Sequence, residues 1–290
     1  MLPDSWSCFV INLRRSAARL NEISGRLNRA GIAFRRFEAF DGREIDPDNT
    51  PLFERKAYQA RHGRLPSAGE IGCFLSHIGA MRAFLATNAE YCLLLEDDAI
   101  FEPQFVRVFD GLQRTASEWD VVLLYGNHPG AQQPLARIDE HHRLVGFFTR
   151  QTGAVAYVVN RRAAQIYIEK LLPMTLPIDI DFDRAWDFGI KFRGVQPFPV
   201  RSGAHPSDIG MLGTKFPWYL RWRTYFARTL NEAQRLIHYS IFDPIWMWAL
   251  WFRAENAMAR FSYRSIPGSD PLARAASMET EIAKPLRGTP

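Results

Sequence analysis

The stretch YCLLLEDDAIFEP, residues Tyr91 to Pro103, decides how the rest of the sequence is interpreted. Its apolar beginning predicts a short buried strand. Three carboxylates follow at once, Glu96, Asp97 and Asp98, and apolar residues then resume. Because side chains alternate along a strand, we expect Glu96 and Asp98 to point one way and Asp97 the other. A buried strand that ends in like charges needs something that compensates them.

The segments on either side of this stretch predict a layered α/β fold. Cys8 to Leu13 and Ile32 to Phe40 have the composition of strands. In the segment between them, apolar residues recur at helical spacing. This order favours parallel strands joined by a right-handed crossover. Ser67 and Glu70 form a capping box, which marks the start of a long helix before Tyr91. Further strands are predicted over residues 119–127, 153–160 and 195–200, the last at a sheet edge because it contains prolines.

The composition indicates a globular α/β protein with an anionic partner. The chain has 290 residues, of which 47% are hydrophobic and 23% charged, and its net charge is +5. Its three cysteines, Cys8, Cys73 and Cys92, lack metal-ligand spacing, so we expect reduced thiols. The first residues lack the features of a signal peptide. No window reaches about 18 apolar residues, so no membrane-spanning helix is expected.

The C-terminal part of the sequence differs from the rest. We expect a catalytic domain over residues 1–213, an aromatic and arginine-rich helical extension over 214–263, and a disordered tail over 264–290. The extension places aromatic residues near one helical face and arginines around it, which favours binding to an anionic membrane surface. A helix packed on the core, or a dimer contact, is the alternative. The residues concerned are Trp218, Trp222, Tyr225, Leu230, Arg221, Arg228 and Arg235.

The carboxylates at the end of the central strand favour a metal site. Ligands of open α/β sheets bind beyond the carboxyl ends of the strands. Two like charges about 4 Å apart repel by roughly 4 kcal/mol at an effective dielectric constant of 20. A divalent cation between Glu96 and Asp98 removes this cost, and oxygen ligands suit Mg²⁺ or Mn²⁺. A solvated acidic turn with arginine neighbours is the alternative.

Several blocks of the sequence resemble a known family. In chain order they are FVINLRRSAARL, FEAFDGREI, LPSAGEIGCFLSHIGAMRAFL, LLLEDDAIFEPQF and GAVAYVVNRRAAQ. Their order and approximate spacing are similar to the blocks of glycosyltransferase family 25, the lipooligosaccharide galactosyltransferases, over about Cys8 to Val200.

The resemblance implies a GT-A-type, Rossmann-like three-layer α/β/α domain that transfers a sugar from a nucleotide donor. It implies UDP-galactose as the donor and a lipopolysaccharide-core or other lipid-linked glycan as the acceptor. Glu96-x-Asp98 stands where the family has its D-x-D-like metal motif. The cation would bridge the donor's diphosphate and stabilise its departure.

The resemblance also implies donor-binding residues near the strand ends and in the family's D-G and S-H pairs. These are Asn12, Arg14, Asp41, Ser76, His77 and Asp97. Asp41 has turn chemistry as its alternative role. For His77 the alternative is a hydrogen-bonded core histidine, and for Arg14 a solvated position. His205 is expected to complete the metal shell, with a surface histidine as the alternative.

The segment LPIDIDFDRAWD contains the expected general base. An inverting transferase needs a carboxylate that takes the proton of the acceptor hydroxyl. The family's P-x-D block makes Asp179 or Asp181 this base, and Asp181 is favoured. If the segment is extended, Asp179, Asp181 and Asp183 lie on one side. If a helix starts at Asp181, this residue is its N-cap instead.

Two other functions fit the same residues. A nucleotidyl or phosphoryl transferase could use the carboxylates, but the phosphate-binding loop G-x-x-x-x-G-K-[ST] is absent from the sequence. A membrane-surface binding protein with a degenerate acidic cluster is the non-enzymatic alternative. Nucleic acid is not an expected partner, because the arginines are dispersed and the sequence shows no known module. We expect a cytoplasmic enzyme, peripheral on the inner face of the cytoplasmic membrane.

Overall fold

The computed structural model describes residues 2–47, 49–203, 216–217, 219 and 221–247. Contacts divide the chain into a compact unit, Met1–Ile245, and a second unit, Trp246–Pro290, of which only the first two residues are described. The predicted domain boundary at residue 213 and the predicted disordered tail therefore lie outside the described residues.

Strands and helices alternate along most of this unit. The strands are β1 Trp6–Asn12, β2 Arg35–Glu38, β3 Tyr91–Glu96, β4 Ala99–Phe101, β5 Val121–Leu123, β6 Gln132–Arg137, β7 Arg143–Phe147, β8 Ala156–Asn160, β9 Phe192–Gln196 and β10 Val200–Ser202. The helices are α1 Ala17–Arg29, α2 Arg55–His62, α3 Ala68–Leu85, α4 Val108–Arg114, α5 Arg161–Lys170, α6 Ile178–Phe182 and α7 Trp222–Ile237. The predicted capping box of Ser67 and Glu70 is present at the start of α3.

Eight of the described strands form one mixed sheet in the order β2-β1-β3-β8-β5-β9-β7-β6. Strands β1, β2 and β3 are parallel, as predicted, whereas β8 is antiparallel to both β3 and β5. Strands β1, β2, β3 and β5 therefore run in one direction. A separate antiparallel pair joins β4 to β10.

Both faces of the sheet are buried by helices. On β3, Cys92 and Leu94 pack on one face with residues of α3 and α5. Leu93 and Leu95 pack on the other face with residues of α1 and α4. This alternation is what a strand covered on both sides requires, and it explains the continuous apolar run before Glu96. The predicted three-layer α/β class is confirmed.

The far half of the sheet differs from the sequence prediction. The β6–β7 hairpin was not predicted, because its first strand is largely polar and carries a proline. The strand predicted over residues 195–200 at a sheet edge is wrong in both bounds and position. Only Val195 and Gln196 lie in a strand of the large sheet, at the end of β9, which is paired on both sides by β5 and β7, and Val200 begins β10. Pro197 follows the last residue of β9. The charged residue Arg193 lies within β9, so the sequence of this segment does not look like that of a buried strand. Arg193 is buried and forms an ion pair with Asp243 at 2.7 Å.

The predicted C-terminal helix is present as α7 and packs against α2. Thr224 Oγ1 donates a hydrogen bond to the carbonyl of Ala60 at 3.1 Å. The close approach requires glycine at position 63, because a Cβ there would lie 2.8 Å from Thr224 Oγ1. Gly63 also has a φ of +77°, which ends α2 in the left-handed region. In the described part of the chain, no helix is both long and apolar enough to cross a membrane.

Candidate active site

A cavity of about 700 Å³ opens at the carboxyl ends of β1, β2, β3 and β5. Segments that follow parallel strands meet at one sheet edge, where open α/β sheets bind ligands. The antiparallel β8 adds the segment that precedes it. The lining from the sheet comprises Ile11, Leu13, residues 39–43, Glu96, Asp97, Asp98, Tyr125, Asn127, Gly153, Ala154 and Val155.

The charge of Asp97 is compensated inside the protein. Asn12 Nδ2 donates a hydrogen bond to Asp97 Oδ2 at 2.6 Å, and Arg19 Nε lies 3.4 Å from Oδ1. Asn12 is itself buried, donates to the Ser16 carbonyl at 3.0 Å and accepts from Arg36 Nε at 3.1 Å. Asp97 therefore fixes the end of β3 to β1 and α1. Asn12 orients this carboxylate from behind the cavity wall.

Glu96 and Asp98 form no ion pair with an arginine or lysine among the described residues. Asp98 Oδ2 accepts a hydrogen bond from the Ser202 hydroxyl at 2.6 Å. Its Oδ1 is buried and has no hydrogen-bond partner within the described ranges. Burial raises the pKa of Asp98, and the neighbouring Glu96 carboxylate raises it further. A buried, unpartnered carboxylate oxygen beside a second carboxylate is costly unless a cation or a proton compensates it.

These residues fit a divalent cation with oxygen ligands. Glu96 and Asp98 supply the hard donors that Mg²⁺ and Mn²⁺ prefer. A softer set is also close, since ligand atoms of Cys73, His77 and Glu96 all lie within 4.8 Å of one another. However, burial raises the pKa of the Cys73 thiol well above its usual value, which disfavours the thiolate that a soft metal needs. The predicted third ligand, His205, lies outside the described residues.

His77 lies on α3 and connects Glu96 to β8. Its Nε2 is 3.2 Å from Glu96 Oε1, and its Nδ1 is 3.0 Å from the Tyr157 hydroxyl. A carboxylate only accepts, so Nε2 donates to Glu96 and Nδ1 of the neutral ring accepts from Tyr157. His77 is therefore both a buried, hydrogen-bonded histidine and a residue that orients the carboxylate at the cavity wall.

Ser76 holds a turn against α3. Its hydroxyl donates to the Gly72 carbonyl at 2.6 Å and accepts from the Phe40 amide at 2.9 Å. The turn approaches the helix so closely that a Cβ on Gly72 would lie 2.6 Å from the Phe40 oxygen. A Cβ on Gly42 would overlap the Ala68 carbonyl oxygen. Ser76 thus positions the loop that follows β2.

Asp41 combines turn chemistry with a place in the cavity wall. Its side chain accepts from the Arg43 amide at 3.1 Å and caps the short 3₁₀ helix Gly42–Glu44. It also pairs with the Arg43 side chain at 2.7 Å and with Arg15. Hydrogen bonds from Arg43, and then Arg15, hold the pKa of Asp41 well below its usual range. The result is a fixed carboxylate that holds two arginines at the cavity.

The predicted base segment forms a short helix, α6, and not an extended chain. Its three aspartates therefore do not share one side. Asp179 lines the cavity, and its Oδ2 accepts a hydrogen bond from the Gly153 amide at 3.1 Å. Burial raises the pKa of Asp179. Asp181 is only 4% exposed and is not among the cavity-lining residues. Burial raises the pKa of Asp181 to about 7, although Arg61 and Arg184 oppose this shift.

Asp183 ties α7 to the cavity wall. Arg235 donates to both of its oxygens, at 2.8 and 2.6 Å, and each side chain is 2% exposed. Asp183 Oδ1 also accepts from the Gln151 amide at 2.8 Å. Because Gln151 precedes Gly153 in the loop before β8, this buried pair supports the segment that holds Asp179.

The structure gathers most of the predicted site residues around one cavity. Those that line it are Asp41, Ser76, His77, Glu96, Asp97, Asp98 and Asp179. Arg14 is exposed and is not among the lining residues, and Asn12 and Asp181 lie buried outside the lining. The sequence interpretation missed Arg15, Tyr157 and Ser202. Arg15 lies within the block FVINLRRSAARL and Tyr157 within GAVAYVVNRRAAQ, so the sequence held a signal for both of them and none for Ser202.

Comparison with known proteins agrees with this geometry. Residues 6–182 match the sequence profile of glycosyltransferase family 25 (LPS biosynthesis protein). A glycosyltransferase 25 family member of Aedes aegypti is 31% identical over 185 residues, which cover 59% of this chain and 29% of that protein. Procollagen galactosyltransferase 1 of Danio rerio is 27% identical over 184 residues, 59% of this chain and 30% of that protein. A solved Drosophila β-1,4-galactosyltransferase 7, in complex with manganese, UDP-Gal and xylobiose, has a TM-score of 0.36 at 10% identity over 77% of this chain and 79% of its own.

An α/β domain with a carboxylate-lined cavity at its sheet edge is typical of enzymes that bind nucleotides. The profile match covers more than half of the sequence, and the chain belongs to glycosyltransferase family 25. It spans about three tenths of the length of the two curated relatives described above. The family assignment depends on the sequence match and not on the likeness to the solved structure.

Proposed function

We propose that this chain transfers a hexose, galactose, from a UDP-sugar to a hydroxyl of a glycan acceptor, with inversion at the anomeric carbon. The observation that carries the proposal is the buried Oδ1 of Asp98, which has no hydrogen-bond partner among the residues described and lies beside Glu96 at the cavity. Galactose is proposed because curated relatives are named galactosyltransferases.

Glu96 and Asp98 are proposed to hold Mn²⁺ or Mg²⁺, with His205 as a further ligand. The cation would supply positive charge that stabilises the departing nucleotide diphosphate. The chain's own part is to keep both carboxylates ionised and oriented. His77 donates to Glu96, and Ser202 donates to Asp98. Arg15, which Asp41 holds at the cavity wall, is proposed to contact the donor phosphates.

Asp179 is the proposed general base. In this reaction the acceptor oxygen bonds to the anomeric carbon, the bond from that carbon to UDP breaks, and the hydroxyl proton passes to a carboxylate. Asp179 lines the cavity, and the Gly153 amide fixes one of its oxygens. Burial raises its pKa, which makes the ionised form a stronger base. Asp181, which the sequence favoured, does not line the cavity.

The acceptor is proposed to be a lipopolysaccharide-core or other lipid-linked glycan, reached at the inner face of the cytoplasmic membrane. Support comes from α7, whose Trp222 and Phe226 are 63% and 67% exposed and lie among arginines. Exposed aromatic and basic residues on one helix suit an anionic membrane surface. Serine at both aromatic positions should lower binding to phosphatidylglycerol vesicles. Unchanged binding would remove the membrane from the proposal.

Calorimetric titration with UDP in the presence and absence of Mn²⁺ tests the catalytic proposal. We expect Mn²⁺-dependent UDP binding, and hydrolysis of UDP-galactose faster than that of GDP- or CMP-sugars. Asp98→Asn should abolish the Mn²⁺ dependence. If UDP does not bind the full chain in the presence of Mn²⁺, the proposal is wrong.

A further inference from the structure

A second group of charges lies next to the cavity, between α2, α7 and the loop before β8. A crevice in this region is lined by His62, Arg150 and Arg228, together with other residues of these elements. Arg64 lies two residues after His62 in the same loop. The guanidinium groups of Arg64, Arg228 and Arg150 each help to lower the pKa of the His62 imidazole.

The arginines of this region divide into two sets. Arg184 pairs with Asp187, and Arg235 pairs with Asp183, so both are neutralised. In contrast, Arg64, Arg150 and Arg228 form no ion pair with any residue that the structure describes. The guanidinium of Arg228 only donates a hydrogen bond to the His62 carbonyl, at 3.4 Å.

Arg64, Arg150 and Arg228 place three positive charges in one region without an ion-pair partner among the described residues. Burial, and then Arg150, Arg221 and Arg64, lower the pKa of Arg228, which shows that these side chains repel one another. Burial and the same surroundings lower the pKa of His62 to about 4, so His62 adds no charge at neutral pH. Grouped guanidinium groups without acidic partners are suited to bind phosphate or carboxylate, because their fixed forks match the oxygens of these groups.

The loops that carry Arg64 and Arg150 continue into segments that line the cavity. Arg150 is close enough to Asp179 to act electrostatically on it, and it precedes Gly153, the hydrogen-bond donor to Asp179. Arg64 precedes the N-terminal turn of α3, whose residues Ser67–Glu70 line the cavity. Donor phosphates have another cation at the cavity, Arg15, which Asp41 holds.

We propose that Arg64, Arg150 and Arg228 form a subsite for a phosphate or carboxylate group that the acceptor glycan carries near its reacting hydroxyl. This inference rests on the proposed function, because it takes Asp179 as the base on the acceptor side. It adds a substrate class: the acceptor is an anionic glycan, and a neutral one lacks a binding determinant.

The test compares matched sugars on the full chain saturated with UDP and Mn²⁺. Calorimetric titration would use glucose, galactose and mannose 6-phosphates, each against its neutral sugar. We expect at least one phosphorylated sugar to bind about tenfold more tightly than its neutral form, a difference within the reach of charge-assisted hydrogen bonds. The Arg150→Ala/Arg228→Ala double variant should lose this difference and keep its affinity for UDP.

Arg223→Ala is the matched control, because it removes an exposed arginine of the same helix that does not line the crevice. It should leave sugar-phosphate binding unchanged. Equal affinity for all three phosphorylated and neutral pairs, while UDP still binds, would overturn the subsite and leave the transferase proposal intact. Loss of UDP affinity in the double variant would assign the arginines to the donor, and loss of phosphatidylglycerol-vesicle binding without any sugar-phosphate preference would assign them to lipid. Failure of UDP binding in the unmodified chain would instead overturn the proposed function.

Discussion

Two acidic segments of the chain, Glu96–Asp98 and Asp179–Asp183, look alike in sequence and differ in their surroundings. In the first, all three carboxylates line the cavity, and Asp97 is held there by Asn12 and Arg19. In the second, Asp183 is bound by an arginine and Asp181 is buried away from the cavity, so that only Asp179 reaches it.

The difference shows that the backbone decides which carboxylates are available. The first segment runs from the last residue of β3 into a turn, and its three carboxylates contact different partners. The second is a helical turn, in which residues two apart point in different directions. Each segment therefore presents to the cavity only the carboxylates that its backbone directs there.

The largest effect is expected from removing the charge of Asp98 in the first segment. Asp98→Asn keeps the size of the side chain and its contact with Ser202 but removes the charge that a cation needs. A cation contributes several kcal/mol of stabilisation, so kcat/KM for UDP-galactose should fall by about 1000-fold. Thermal unfolding should show no loss of stability, because a buried negative charge with a raised pKa is removed. Turnover near that of the unmodified chain would contradict the metal role of Asp98.

In the second segment, variants of Asp179 and Asp181 should differ in their effect on catalysis, because only Asp179 lines the cavity. Asp179→Asn removes the proposed base, and kcat for transfer should fall by about 100-fold or more, the lower end for general base catalysis. Asp181→Asn, two residues away and outside the cavity, should retain kcat within a few-fold. UDP affinity should be unchanged in both. If Asp181→Asn has the larger effect on kcat, the base assignment is reversed.

The buried pair that supports the second segment should be measurable as stability. Arg235→Met leaves Asp183 buried without its cation, which typically costs about 3 kcal/mol or more of unfolding free energy. Glu232→Ala removes only the exposed partner of Arg235, and surface pairs contribute less than about 1 kcal/mol. Denaturant unfolding of the two variants gives the comparison. Equal losses of unfolding free energy would mean that the buried pair with Asp183 contributes no more to stability than the exposed pair with Glu232.

The first segment was predictable because its signals are local. A run of five mostly apolar residues, three carboxylates and the alternation of a strand are all visible within residues 91–98. The strand and the edge position of the site follow from them. The opposite direction predicted for Asp97 does not, because β3 ends at Glu96 and all three carboxylates line the cavity. Ser202 could not be predicted, because it reaches Asp98 through the pairing of β4 with β10.

The second segment was less predictable because its partners are distant in sequence. The choice between an extended chain and a helix depends on packing around Phe182, which is fully buried. The arginine that neutralises Asp183 lies 52 residues further along the chain. The preference for Asp181 over Asp179 followed a motif, and the exposure of each carboxylate depends on tertiary structure that the motif does not contain.

Asp181 should also make stability depend on pH. Its pKa of about 7 in the folded protein is above the usual value near 3.9, so the folded state keeps a proton that the unfolded state loses. The contribution of Asp181 therefore becomes less favourable as pH rises from about 4 to about 7 and is constant above that range. Asp181→Asn removes the titration, so its stability relative to the unmodified chain should rise across this window by at most about 1.4 kcal/mol per pH unit. Denaturant unfolding of both proteins at pH 5, 6, 7 and 8 measures the difference, and a difference that is independent of pH would show that Asp181 is ionised throughout.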